Sequence, residues 1–221
     1  MSRASWSTLR HPAYLHRFWL ICTPDSPRKW VWLDLFSAYL LGGLMRDARI
    51  LTWLLADPGR RDHVRADQLA AVRTIAAAEG LADVLEARLA GQSGPAPSSE
   101  PVADLCHGCA ALFGAGNMER GLYRLWQINS LIVDGQSQPG FWDAVQAEAR
   151  QRKVTAHVSR ALRLCHHLFE TPVDAYLAWQ GQRGDIFFLG RLLARNGAGK
   201  PTAPMLRLAF KLRAAWLARL S

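Results

Sequence analysis

β-branched residues are scarce in this sequence, which argues against a protein built mainly from strands. Leu, Ala and Arg dominate instead, and all three favour helices. There are only four cysteines, Cys22, Cys106, Cys109 and Cys165, scattered over 221 residues. That excludes the dense disulfide framework of a small secreted domain. No apolar run reaches membrane-spanning length, since the strongest, residues 30–55, is broken by Asp34, Arg46, Asp47 and Arg49. Residues 1–10 lack the apolar core of a secretion signal. These absences together predict a cytoplasmic protein with no transmembrane segment. A lysine-rich tail is lacking too, although the net charge is +9 and the pI about 10.0. Such a field attracts nucleic acid, acidic lipid or nucleotide phosphates, and it equally describes a basic surface without a dedicated partner.

What the chain does have is a core. Half of its residues are hydrophobic, enough to exclude wholesale disorder. The stretch GQSGPAPSSEP at 91–101 reads as a flexible linker. It divides an N-terminal part, 1–90, from a helical domain, 102–221. The expected fold is mostly α, with a multi-helix C-terminal bundle and a short β-hairpin as one reading of the N-terminal part. That hairpin would fall in residues 17–36. There Phe18, Trp19, Leu20, Ile21 and Trp30, Val31, Trp32, Leu33 flank a turn with Pro24 and Pro27. A helix opening at Ser26 and Pro27 is the alternative.

Apolar spacing of three and four predicts helices over 43–56, 65–78 and 81–89 before the linker. After it come 101–113, 118–133 with Asn129 as its single polar intrusion, and a helix opening at Ser137 or Gln138. The strongest pattern runs over 154–169, through Val158, Ala161, Leu162, Cys165, Leu168 and Phe169, to the breaker Thr171-Pro172. Shorter helices are expected over 173–179 and 185–196, and a last one over 204–220.

Several residues could carry chemistry. Cys106 and Cys109, with Cys165 and His166, offer four soft or imidazole ligands to a zinc ion. The competing explanation is buried helix packing, favoured by the place of Cys165 in its own apolar stripe. On the polar side of the 154–169 helix, His157, Arg160, Arg163 and His167 form a basic stripe, with Lys153 a turn earlier. Such a stripe can grip phosphates or another polyanion. Without interleaved aromatics it reads first as the solvated face of an amphipathic helix. The last helix carries Arg207, Phe210, Lys211 and Trp216, a cationic amphipathic set that suits a protein partner or an anionic membrane surface.

Two stretches carry a resemblance. DLCHGCAALFGAGNMERGLYRLWQINSLI contains Leu105, Cys106, His107 and then Arg124, Leu125, Trp126. FWDAVQAEARQRKVTAHVSRALRLCHHLFETPV contains Phe141, Trp142, Asp143 and the run from Ala161 to Pro172. Together they resemble the helical half of bacterial nucleotidyltransferase-like proteins of largely unknown substrate. The resemblance implies a fold in which a Gly-Ser loop and an Asp-x-Asp pair hold magnesium and a nucleotide. Neither the loop nor the pair occurs in this sequence. Asp34 is the one residue placed where the family's third carboxylate could lie. The resemblance therefore implies a binding or scaffold component of a modification pathway or assembly, with a protein partner and no complete active site. Two alternatives stay open: a basic helical subunit that binds nucleic acid or nucleotide phosphates, and a transferase whose magnesium and nucleotide site is completed by a partner chain.

Overall fold

The computed structural model of the chain describes residues 45–92, 99–114, 118–179, 184–217 and 219. The hairpin expected in 17–36, and Asp34 with it, lie outside the described residues. Within them the protein is a multi-helix bundle with no strand, and the one β-bridge joins Arg195 to Pro201. Helix α1 spans Arg46–Ala56 and is followed by a 3-10 turn, Pro58–His63. Then come α2 (Ala66–Glu79), α3 (Ala82–Leu89), α4 (Pro101–Gly114), α5 (Gly121–Gly135), α6 (Phe141–Gln151) and α7 (Thr155–Phe169). Three further helices close the chain: α8 (Ala175–Ala178), α9 (Asp185–Leu192) and α10 (Pro204–Leu217).

Local chemistry sets most of the boundaries. Asp57 ends α1, and its carboxylate accepts the Gly59 N–H at 3.0 Å, which opens the 3-10 turn. Gly80, at φ +78°, closes α2, with the Leu81 N–H bonding the Ala76 carbonyl at 2.7 Å. Met118 and Arg120 have positive φ, 53° and 46°, so α5 begins at Gly121 rather than at 118. Pro139 lies in a turn instead of in the first turn of α6, because Gly140 at φ +77° precedes the helix. Asp174 caps α8 through the Leu177 N–H at 2.8 Å, and α8 accordingly starts later than the expected 173. Helix α9 stops at Leu192, short of the expected 196. Beyond it Ala194 accepts from Thr202 N–H at 2.8 Å, a pairing of extended backbone that a helix cannot make.

Helix α7 sits at the centre. It packs against α1, α4, α5, α6, α8 and α9. Its predicted apolar residues from Val158 to Phe169 are buried, Cys165 among them, while Val154 is half-buried just before the helix. The polar intrusion on α5 is accounted for here as well: buried Asn129 accepts the Thr171 hydroxyl, which also lies 3.2 Å from the Cys165 carbonyl. Helices from both sides of the 91–101 segment contribute to one core, since α1 meets α7 and α2 meets α5. At the junction of α5 and α6 the backbone of Gly135 lies against the Phe141 ring. A Cβ there would come within 2.3 Å of the ring, so only glycine fits.

Candidate functional site

The two arginines of the basic stripe are internal, which corrects the expectation of a solvated face at those positions, while His157 and His167 are half-buried. Arg160 and Arg163 are only 6% and 7% exposed. Arg163 donates to both carboxylate oxygens of Asp185, at 2.5 and 3.2 Å, and to the Ala178 carbonyl at 2.5 Å. Arg160 pairs with the same carboxylate at 3.4 Å, and its guanidinium lies 4.2 Å from the Phe188 ring centre and 5.6 Å from that of Phe113. His157 lies beside Phe113, with ring centres 6.2 Å apart. Arg49 Nη2 lies 3.1 Å from His167 Nε2. Lys153 is exposed, at φ +59°, just before the helix. The stripe therefore does not form one surface that could grip a polyanion. Both arginines tie α9 onto α7 through the Asp185 carboxylate, and Arg163 ties α8 onto it through the Ala178 carbonyl.

The zinc set does not assemble either. Cys106, Cys109 and Cys165 are buried, whereas His166 is exposed and donates from Nδ1 to the Thr171 carbonyl at 3.0 Å. Consecutive helical positions point to different sides, which separates His166 from the Cys165 thiol. No group of three or more His, Cys, Asp or Glu that could hold a metal ion occurs among the described residues. Asp34, the one carboxylate that the resemblance places at a magnesium site, lies outside those residues. Burial pushes the Cys106 thiol up to about 11 and raises Cys109 and Cys165 as well, so none of them is a thiolate near neutral pH.

An open cleft of about 520 Å³ lies along α4 and α5, reaching Val84 of α3. Its floor is apolar, from Trp126, Ile128 and Leu131, and Asp104, His107, Tyr123, Arg124, Gln127 and Asp134 line it with polar groups. Arg124 donates to the Ala111 carbonyl at 3.4 Å, and Gln127 to the Tyr123 hydroxyl at 3.3 Å. The two helices run antiparallel, so Asp104 and Asp134 lie toward one end and Arg124 toward the other. Sequence reasoning did not bring this cleft together, although it named His107, Arg124 and Trp126 among the residues that carry the resemblance. Its signal is the helical spacing of Asp104, His107 and Ala111 on α4 and of Tyr123, Gln127 and Asp134 on α5. The cleft offers hydrogen-bond donors and acceptors around an apolar floor, but no activated nucleophile.

The third feature is apolar. Tyr176, Trp179, Phe187, Leu208 and Leu212 are all exposed, Phe187 at 62% and Leu212 at 64%. They lie on, or directly beside, the three last helices. Arg163 bonds Ala178 and Asp185 at once, which brings the neighbourhoods of Trp179 and Phe187 together. Phe188 and Phe210 join α9 to α10 in an edge-to-face contact with ring centres 5.4 Å apart. Phe210 is thus a core residue, which corrects its assignment to an outer contact face. On the same helix Arg207 is half-buried and Lys211 exposed, and the Trp216 side chain lies outside those described. Among the described residues no helix is long and apolar enough to cross a membrane.

No protein-family model, no curated protein and no solved structure matches this chain.

Proposed function

We propose that this chain is a binding or scaffold component of a larger assembly or modification pathway. On this proposal it is nucleotidyltransferase-like in descent, works in the cytoplasm and lacks a complete active site of its own. The observation that carries the proposal is where the chemistry-bearing side chains lie relative to the apolar ones. Arg160, Arg163 and Asp185 are used in holding helices together, and the thiols are buried and protonated. Large apolar side chains of α8, α9 and α10 face outward instead. An outward apolar surface beside an inert polar interior is the property of a contact surface rather than of a reaction centre.

The test is a calorimetric titration of magnesium and ATP into the full chain. The expected trace is flat. Magnesium-dependent nucleotide binding that Asp34→Asn removes would overturn the proposal and establish a transferase.

A further inference from the structure

We infer that the outer face of α9 and α10 docks on an anionic lipid surface. This rests on the proposal that the face is a contact surface, and it names the occupant. Charge along the chain is strongly segregated. Asp185 is the last acidic residue, and residues 186–221 hold seven arginines and lysines with no Asp or Glu. Residues 1–185 hold the other twenty basic residues against all eighteen acidic ones, and so are nearly neutral. Most of the net charge of +9 therefore sits on α9, α10 and the turn between them.

The structure sorts that segment into an inner and an outer side. Phe188 and Phe210 face inward and pack together. Leu208, Lys211, Leu212 and Ala215, spaced by three, four and seven, are all exposed on α10. Exposed Phe187 extends the apolar surface from α9. Arg195 is drawn back to Glu79 of α2, with its Nη1 donating to Gly199 at 2.9 Å. Half-buried Arg191 is held below its ordinary value by burial first and then by Arg207 and Arg195, with Glu79 opposing.

Cations beside outward leucines and a phenylalanine match the boundary between lipid headgroups and acyl chains. The cations meet anionic headgroups, and the aliphatic side chains enter the acyl region. A nucleic acid fits the outer face less well, because apolar Leu208 and Leu212 flank Lys211 where a phosphate backbone calls for a row of cations. The helix lies on the membrane rather than crossing it.

Flotation of the full chain with vesicles tests this. One set is phosphatidylcholine alone; the other contains about 30% phosphatidylglycerol. The protein is expected to float with the anionic vesicles only, and less well at high salt. Leu208→Ser/Leu212→Ser is expected to weaken binding about tenfold or more, and Lys211→Glu several-fold. Equal flotation with both vesicle types, or binding indifferent to the leucine changes, overturns the inference. Thermal unfolding of the same double variant separates two kinds of failure. No flotation with unchanged stability removes lipid as the occupant and leaves the contact-surface proposal standing. No flotation with a large loss of stability shows the face is covered by the chain itself and overturns both.

Discussion

Helices α7 and α10 both carry basic side chains at helical spacing beside an apolar stripe, yet their environments are opposite. On α7 the arginines are buried beneath α8 and α9, and one carboxylate, Asp185, pairs with both. On α10 exposed Lys211 stands among exposed leucines, and no acidic residue follows Asp185 in the chain. The difference teaches that the polar face of a helix is a surface only if no other element covers it. Helix α7 is covered by α8, which supplies the Ala178 carbonyl, and by α9, which supplies the Asp185 carboxylate, whereas Leu208 and Leu212 of α10 are exposed. Similar residue types thus become an internal clamp in one place and an exposed face in the other.

The largest expected effect breaks the clamp. Asp185→Asn leaves two buried guanidiniums without their carboxylate and should cost about 3–5 kcal/mol in denaturant unfolding. A cost under about 1 kcal/mol would mean that the α7 arginines are solvated after all. Next comes the inner side of α10. Phe210→Ala removes the ring that packs on Phe188 and should cost about 3 kcal/mol. Leu212→Ser, two residues on but outward, should stay within about 0.5 kcal/mol of wild type. Similar costs for the two would erase the distinction between the inner and outer sides.

The smallest effect concerns an exposed pair. Arg60 donates to both oxygens of Glu170, each at 2.7 Å, and this bidentate bond holds the Glu170 carboxyl below its ordinary value. A lowered folded-state pKa stabilises above the unfolded carboxyl value of about 4.3, and that contribution is lost as pH falls through the folded value. Unfolding followed from pH 6 down to about 3 should show a small acid loss that Glu170→Gln removes. A loss as large as that of Asp185→Asn would show the surface pair to be no weaker than the buried one.

The sequence made the helices legible because apolar spacing on α4, α5 and α7 is regular and the breakers are strong. Thr171-Pro172 ends α7 where the pattern stops, and Asn129, the apparent flaw in α5, is satisfied by a residue forty-two positions away. Boundaries slipped where backbone sign decided them, at Met118, Arg120 and Gly140, since positive φ leaves little trace in hydrophobic spacing. The fate of Arg160 and Arg163 was not legible for a different reason. Burial of a polar face depends on α8 and α9, whose own patterns are too short to reveal where they dock. The same limit hid the inward turn of Phe210 and the cleft between α4 and α5, both of which are properties of helix pairs.

Side-chain footprinting by hydroxyl radicals, with and without anionic vesicles, tests the central claim most directly. The account predicts strong labelling of Phe187, Leu208 and Leu212 in the protein alone, loss of that labelling on the vesicles, and no labelling of Phe210 in either state. Protection of Phe187, Leu208 and Leu212 before any vesicle is added, or labelling that the vesicles leave unchanged, would contradict it.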